Sequence, residues 1–306
     1  MKKKILVIGG TGFIGVNFIK KINFKNYDIY SLSRNKPNKL NKIKSVKYLY
    51  SDISDESRIR RILKGINFNY VINFGGEINH KNKSRVYRSH YLGVKNLINF
   101  FKKKKIEKFI QIGSSIENGS INSPQKETII NNSNLIKSPY GRAKNLATKE
   151  LLRINKTSKF QIIIFRLYQV YGPHQYHDRL IPFVIKNCLE NREFPCSEAT
   201  QLRDFIYVED VVRLIKIALQ KKSLNKYVFN IGSGYPIRVK SVIKKITEFT
   251  KSGKPLYGKI KLRKDESYSI FADINSAKKE FNWSPKIDLK HGLIKTIKFY
   301  KIFNGL

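Results

Sequence analysis

The amino-terminal segment constrains the fold of this chain more than any other stretch. Residues 5–8 are a short apolar run, residues 9–15 form the glycine-rich sequence Gly-Gly-Thr-Gly-Phe-Ile-Gly, and residues 13–21 are compatible with a helix. A buried strand, a glycine turn and a helix start in this order are typical of a dinucleotide-binding fold. Unpaired N–H groups at the helix start attract the pyrophosphate of such a ligand. The expected cofactor contacts are Gly9, Gly12, Phe13, Ile14 and Gly15.

Length and composition place the chain among globular proteins. Its 306 residues can bury one large core or two modest ones, and its hydrophobic fraction of 41% is ordinary. No apolar run approaches the roughly 18 residues needed to span a bilayer, and the apolar run after the basic amino terminus is too short for a secretory signal. We therefore expect a cytoplasmic protein. Cys188 and Cys196 form neither a disulfide framework nor a metal cluster, so no metal site is predicted.

The formal net charge of +39 is the unusual global property of the chain. One interpretation is a nucleic-acid-binding protein. The other is compositional, because lysine, asparagine and isoleucine rise together in AT-rich genomes. The lysines are spread along the chain without a known nucleic-acid motif, which favours the compositional interpretation. We expect no nucleic-acid or membrane partner, although a positive field would attract anionic substrates.

The end of the predicted second strand, residues 28–32, bears on the choice of cofactor. Ser33 and Arg34 follow it, and residues 31–36 contain no Asp or Glu. An acidic residue at this point binds the ribose 2′-hydroxyl of NAD, whereas an arginine pairs with the 2′-phosphate of NADP. The pattern favours NADP over NAD; the alternative is a solvated basic loop.

Two more strand ends are expected to contact the cofactor. The third strand, residues 46–50, is followed by Asp52 near the expected adenine position; alternatively, Asp52 or Ser54 caps a helix that begins near Asp55. The fourth strand, residues 70–74, ends before two glycines, which let a ligand lie close to the backbone. The contacts predicted here are Asp52, Ile53, Phe74 and Gly75.

A group of residues that can move a proton follows the fifth strand, residues 109–112. Ser114 and Ser115 lie at its end, on the ligand edge of an open α/β sheet. Tyr140 and Lys144 are four residues apart and share a helix face. An ammonium group lowers the pKa of a neighbouring phenol, so the pair can transfer the proton of a hydroxyl/ketone couple while a nicotinamide carries the hydride.

Together these motifs resemble the extended short-chain dehydrogenase/reductase family, and within it the NAD-dependent epimerase/dehydratase group that acts on nucleotide sugars. The likeness continues through residues 166–173, 203–211, 230–234 and 282–285, so it covers nearly the whole chain. It implies a doubly wound parallel sheet of the Rossmann type in residues 1–167, with strands and helices returning from the later chain. Residues 168–306 would mainly form a smaller mixed α/β substrate-binding part. The resemblance also implies a homodimer and a role in surface-polysaccharide biosynthesis.

The resemblance also assigns roles to individual residues. Ser114 would hydrogen-bond the reacting oxygen, Tyr140 would be the general acid/base, and Lys144 would lower its pKa and hold the nicotinamide ribose. Arginines suit a diphosphate because the planar guanidinium makes paired, charge-assisted hydrogen bonds. The residues expected on the substrate are Ser115, Gln169, Arg203 and Arg263.

Departures from the family pattern reduce the number of reactions that we expect this chain to catalyse. Nucleotide-sugar 4,6-dehydratases carry an Asp-Glu pair directly after the catalytic hydroxyl, where this chain has Ser115 and Ile116. Isoleucine cannot move a proton, so 4,6-dehydration is not expected. The first hypothesis is an NADP-dependent 4-keto reductase of a nucleotide-activated deoxyhexose. The second is a nucleotide-sugar 4-epimerase with tightly held NAD, and the remote third is a non-catalytic basic protein that binds RNA or a membrane surface.

Overall fold

The computed structural model describes residues 2–262 and 267–303; for Leu40 it describes the backbone only. Seven parallel strands form the central sheet. In chain order they are β1 (Lys3–Ile8), β2 (Tyr27–Ser33), β3 (Val46–Tyr50), β4 (Tyr70–Asn73), β5 (Lys108–Ser114), β6 (Gln161–Leu167) and β10 (Val228–Ile231). Across the sheet they run β3-β2-β1-β4-β5-β6-β10, which confirms the predicted doubly wound arrangement.

The apolar strands explain why this sheet is covered on both faces. In β1 the side chains of Ile5, Leu6 and Val7 are all inaccessible to solvent, as expected for a parallel strand between two helical layers. Alternate side chains enter different cores, because successive residues of a strand point to opposite faces. Ile5 and Val7 belong to one core and Leu6 to the other.

Helices close both cores. The core that contains Ile5 is covered by α1 (Phe13–Lys21), α7 (Val208–Gln220) and α9 (Asn275–Phe281). The core that contains Leu6 is covered by α2 (Glu56–Leu63), α4 (Gly93–Phe101) and α5 (Pro139–Asn155). Among the residues that the structure describes, no helix is long and apolar enough to cross a membrane.

The helical segment before β5 differs from the helix that the apolar spacing predicts over residues 90–103. It begins earlier, with α3 (Lys83–Tyr87), passes through a wide π-helical turn at Arg88–Leu92 and continues as α4. The Asn82 side chain caps its start by accepting from the Arg85 N–H. Apolar periodicity misses this start because only Val86 of α3 is buried.

The later part of the chain builds a second, smaller α/β unit around its own core. Strand β9 (Leu202–Tyr207) pairs with three short strands, and a separate pair lies beside them. The short strands are β7 (Gln169–Tyr171), β8 (Glu193–Pro195), β11 (Pro236–Arg238), β12 (Lys254–Leu256) and β13 (Ser269–Ile270). The helices are α6 (Leu180–Leu189), α8 (Val239–Thr250) and α10 (Leu289–Phe303).

The chain crosses between the two units more than once. After β9, helix α7 packs on α1, β10 joins the edge of the seven-stranded sheet beside β6, and α9 contacts β10. Later segments of the chain therefore contribute β10, α7 and α9 to the unit built around the seven-stranded sheet. The assignment of residues 1–167 to cofactor binding and of residues 168–306 mainly to substrate binding stays a prediction.

Candidate active site

The glycine turn between β1 and α1 has the geometry needed to receive a pyrophosphate. Gly9 has a φ of +72°, which favours glycine, and Gly12 begins α1 without a side-chain cap or an acidic residue in the first turn. A Cβ on Gly12 would approach only Gly9 O, at 3.3 Å, so the space in front of the helix start is open. The residues present therefore fit a dinucleotide at this turn.

The other predicted contacts near this turn are brought together by close packing of β1 and β4. A Cβ on Gly9 would lie 2.9 Å from the Cα of Gly75, so the two strand ends touch at the backbone. The Phe74 ring lies 5.8 Å from the ring of Phe18 in α1. Phe13 and Ile14 are half-buried against the same core.

At the end of β2, Arg34 already has an acidic partner. Its Nη1 lies 3.0 Å from Oε2 of Glu77, a buried residue in the loop after β4. Burial opposes ionisation of Glu77, but the Asn79 N–H and Arg34 hold the pKa of its carboxyl below the usual range. Ser33 is buried, and its Oγ has no hydrogen-bond partner among the described residues. Sequence analysis placed Ser33 and Arg34 here but missed Glu77.

Beyond β3, the structure corrects the expected helix cap. Asp55, and neither Asp52 nor Ser54, caps α2 by accepting from the Arg58 N–H at 3.0 Å. Asp52 Oδ1 instead accepts from the Ser54 N–H at 2.8 Å and tightens the turn before the helix. Ile53 is buried, and a Cβ on Gly93 of α4 would lie 2.4 Å from its Cγ1. Contact of Asp52 or Ile53 with adenine stays a prediction.

The three predicted catalytic residues converge at the carboxyl end of β5. Ser138 caps α5 and sets Tyr140 in its first turn, with Lys144 one turn later. The Ser114 side chain is hydrogen-bonded to the Tyr140 phenol. Lys144 Nζ donates to Ile112 O at 2.6 Å and lies 5.9 Å from the centroid of the Tyr140 ring.

Burial dominates the protonation of this group. It raises the pKa of Tyr140 to about 12, although the Ser114 hydrogen bond acts in the opposite direction. It also lowers the pKa of Lys144 to about 8. The net pKa of Tyr140 is raised because desolvation of the phenolate outweighs the favourable contacts, and the expected lowering of that pKa by Lys144 stays a prediction. Tyr140 is a neutral phenol at neutral pH.

Two imidazoles enclose the ring of Tyr140. The His80 ring stacks on it at 4.0 Å between centroids with an interplanar angle of 14°, and the His90 ring meets it edge-on at 4.9 Å. His90 lies in the π-helical turn, where its Nε2 is 3.1 Å from Glu77 O. Burial and then the charge of Lys144 hold the pKa of His90 well below its ordinary value, so this ring is neutral.

A buried carboxylate that sequence analysis missed organises the turn that carries Ser114. Glu117 Oε1 accepts from the Ser114 N–H at 2.7 Å. Its Oε2 accepts from Thr148 Oγ1 at 2.6 Å and from Arg166 Nε at 3.2 Å. Glu117 and Arg166 are both inaccessible to solvent. One carboxylate thus connects the end of β5, helix α5 with Tyr140 and Lys144, and strand β6.

Arg166 extends this network toward the second unit. Its Nη1 donates to Asn118 Oδ1 at 2.6 Å and to Thr128 O at 2.7 Å. Asn118 Nδ2 in turn donates to the Tyr168 hydroxyl at 3.2 Å. The turn that contains Glu117 and Asn118 is therefore held by Arg166 of β6 and by Tyr168, the residue directly after β6.

The predicted substrate residues are spread over three elements. Ser115 begins a short 3₁₀ turn after β5, Gln169 is exposed on β7, and Arg203 is buried on β9, where its Nη1 donates to Tyr268 O at 3.2 Å. Arg263 lies outside the described residues. The buried Asp204 beside Arg203 accepts from the backbone N–H groups of Ser233 and Gly234, at 2.5 Å and 3.0 Å. It fixes the loop after β10 against β9.

The fold and this edge of the sheet define a nicotinamide-dependent enzyme with a Rossmann-type core. The sequence model of the NAD dependent epimerase/dehydratase family matches residues 5–232. The chain therefore belongs to that family, and its relatives include nucleotide-sugar epimerases and dehydratases. The recognition made from the motifs is confirmed.

Similarity to individual proteins extends along nearly the full chain. A candidate UDP-glucose 4-epimerase of Methanocaldococcus jannaschii is 29% identical, with 97% of this chain and 98% of the relative covered. A dTDP-D-glucose 4,6-dehydratase of Bos taurus is 26% identical, with 98% and 89% covered. The crystal structure of a Thermotoga maritima UDP-glucose 4-epimerase with UDP-glucose has a TM-score of 0.87 and 25% identity, with 98% and 99% covered.

Replacing Glu117 by Gln should destabilise the protein, because the Arg166 guanidinium would remain buried without its counter-charge. We expect a loss of about 3–5 kcal/mol in the free energy of unfolding, measured by urea denaturation. Adding Arg166→Met should recover part of this loss, because it removes the unpaired charge.

The matched control is Glu56→Gln, which breaks the exposed ion pair with Arg60. It should cost less than about 1 kcal/mol. Equal losses for the two single variants would contradict a structural role for the buried pair.

Proposed function

We propose that this enzyme uses NADPH to reduce the C4 ketone of a nucleotide-activated 4-keto-6-deoxyhexose. The observation that carries the proposal is the neutral phenol of Tyr140, hydrogen-bonded to Ser114 at the end of β5. Reduction of a ketone needs a proton donor, whereas oxidation of a hydroxyl needs a base. A phenol with a pKa of about 12 is in the donor form at every physiological pH.

Ser114, Tyr140 and Lys144 each have a different role in the proton transfer. A reduced nicotinamide, when bound, supplies the hydride that C4 receives. Ser114 orients the ketone oxygen through a hydrogen bond, and Tyr140 transfers its phenolic proton to that oxygen as the C–H bond forms at C4. The phenolate that remains is stabilised by Ser114 and by the positive charge of Lys144, and it regains a proton from solvent.

The surroundings of Ser114 do not favour 4,6-dehydration. That reaction needs an acid and a base next to the catalytic hydroxyl, where this chain has Ser115 and the exposed Ile116. The nearest carboxylate in sequence, Glu117, is buried and bonded to Arg166, Thr148 and the Ser114 backbone. Both carboxylate oxygens of Glu117 are used to hold the turn, and because the side chain is inaccessible to solvent it cannot reach a sugar.

A 4-epimerase is the second candidate function. It is favoured by the full-length similarity to the Methanocaldococcus and Thermotoga proteins. An epimerase would use Ser114, Tyr140 and Lys144 but would first remove a proton from the C4 hydroxyl, which requires the phenolate. The third hypothesis, a non-catalytic basic protein, is set aside because the relatives are enzymes.

The cofactor is proposed to be NADP, with NAD as the alternative. Arg34 is about half exposed at the end of β2, and no acid stands in the β2 end itself. A ribose 2′-phosphate would compete with Glu77 for the Arg34 guanidinium, because both make charge-assisted hydrogen bonds with arginine and the phosphate carries more negative charge than a carboxylate. Glu77 is therefore proposed to limit, without abolishing, the preference for NADP.

Ketone reduction should depend on the Tyr140 hydroxyl. With a panel of nucleotide-activated 4-keto-6-deoxyhexoses, the wild type should consume NADPH, and Tyr140→Phe should lower kcat between about 100- and 10,000-fold. Tyr87→Phe is the control, because Tyr87 is exposed on α3 and should be neutral.

The nucleotide released on denaturation decides between the two candidates. Stoichiometric NAD released from purified protein, together with no NADPH consumption on any ketone of the panel, would replace the reductase by the epimerase. Empty protein that consumes NADPH would support the reductase.

Cofactor selectivity should follow Arg34. Arg34→Ala should weaken NADPH binding by roughly 10- to 100-fold and leave NADH binding almost unchanged, because only NADPH carries the 2′-phosphate. Glu77→Gln should tighten NADPH more than NADH, since it releases Arg34. Titration by fluorescence measures both, and equal changes for the two cofactors in Arg34→Ala would contradict the assignment.

The reduction should slow as the pH rises through about 8, where the buried Lys144 loses its proton. Tyr140 contributes no change in this range, because its pKa is about 12. The measurement is kcat/KM for the ketone against pH. In Lys144→Arg, kcat/KM should be lower but independent of pH up to roughly pH 10, because a guanidinium does not titrate in that range. If kcat/KM of that variant still fell through about pH 8, Lys144 could not be the group responsible.

A further inference from the structure

A cavity that is open to solvent lies at the edge of the sheet opposite the predicted catalytic residues. It has a volume of about 810 Å³, within the usual range for small-ligand sites. It collects the first residues of five parallel strands, because the amino ends of parallel strands meet at one edge. These residues are Lys3, Tyr27, Tyr70, Lys108 and Gln161. The carboxyl-terminal ends of α5 and α7 complete its wall.

The lining of this cavity carries excess positive charge. Two of its lysines are compensated: Lys3 lies 2.8 Å from Glu107, and Lys221 lies 3.6 Å from Glu280. The other three, Lys108, Lys159 and Lys222, have no carboxylate within 4.0 Å among the described residues, although the charge of Glu107 acts on Lys108 from a greater distance. The two helix ends contribute only about half a negative charge each. The cavity therefore remains positive and suits an anion.

Lys108 is the buried centre of this lining. The residue is only 6% exposed, and its Nζ donates to Leu219 O at 2.7 Å and lies 6.0 Å from the Tyr70 ring centroid. An ammonium group has three donors, and this single hydrogen bond uses one of them. Burial lowers the pKa of Lys108 to about 8, so an anion in the cavity would restore its charge.

Capping of helix ends does not account for the remaining lysines. Lysines near a helix carboxyl terminus commonly bind its last carbonyls, as Lys108 does at Leu219 of α7. The side chains of Lys159 and Lys222 make no hydrogen bond within the described structure, and both are exposed at the cavity rim. They are available to a ligand.

Aromatic side chains accompany the lysines. Tyr27 is half-buried and meets the Tyr70 ring at 6.3 Å in an edge-to-face arrangement, while Tyr227 is 39% exposed. Phenol rings beside ammonium groups can bind a planar base and a phosphate chain at once. We propose that this cavity binds a polyphosphate-bearing small molecule, such as a nucleoside diphosphate, at a site separate from the catalytic edge.

The test, which rests on the proposed function for its blocking ligands, is calorimetric titration of ADP into protein saturated with NADP and a nucleotide-activated 4-keto-6-deoxyhexose, a pair that cannot react and that fills both the cofactor site and the substrate site. The wild type should bind ADP at the cavity, and the double variant Lys159→Glu/Lys222→Glu should weaken this binding by about tenfold or more, since two charge-assisted contacts are lost. The matched control is Lys278→Glu/Lys279→Glu, which makes the same change in net charge on the exposed end of α9.

The control variant should bind ADP like the wild type. Equal weakening in both double variants would show that only the overall field attracts ADP, and unchanged binding in Lys159→Glu/Lys222→Glu would place ADP elsewhere; either result overturns the proposal. A parallel titration with inorganic pyrophosphate separates the two sources of the ligand. Equal affinity for pyrophosphate would identify a free polyphosphate, and tighter binding of ADP would identify a nucleotide.

Discussion

Parallel alignment of seven strands is the constraint on which this structure depends. It places every carboxyl end on one edge of the sheet, and the glycine turn after β1, Arg34 after β2 and Ser114 at the end of β5 all lie at that edge. The same alignment gathers the amino ends on the opposite edge, where Lys3 and Lys108 line a basic cavity. The two edges therefore differ in chemistry, because one edge is formed by the residues at the carboxyl ends of the strands and the other by the residues at their amino ends.

Enclosure of the group formed by Ser114, Tyr140 and Lys144 determines its protonation. Burial raises the pKa of Tyr140 and lowers that of Lys144, so both are shifted toward their uncharged forms. The same burial makes the Glu117–Arg166 pair essential once it is present, because either partner alone would leave an uncompensated charge. A protonated phenol in this position can donate a proton, and the proposed ketone reduction depends on that property.

Motifs with local causes were predictable from sequence. The glycine turn, the strand ends and the four-residue spacing of Tyr140 and Lys144 depend on neighbours in the chain, and the structure places them as expected. Contacts between distant segments were not predictable. Glu77 reaches Arg34 across 43 positions, and Glu117 reaches Arg166 across 49. Glu77 belongs to no local pattern, whereas Glu117 closes a capping box with Ser114, a pattern that predicts its bond to the Ser114 N–H but not its ion pair with Arg166.

The doubly wound fold and the family were predictable from the sequence, as was the choice of Ser114, Tyr140 and Lys144 as candidate catalytic residues, because strand periodicity, glycine turns and helix spacing are properties of short segments. The protonation of Tyr140 and Lys144, the partner of Arg34 and the stacking of His80 on Tyr140 become apparent only in the folded chain. These depend on how far the folded chain excludes water and on which distant side chains it brings within contact. Spacing along a sequence records neither.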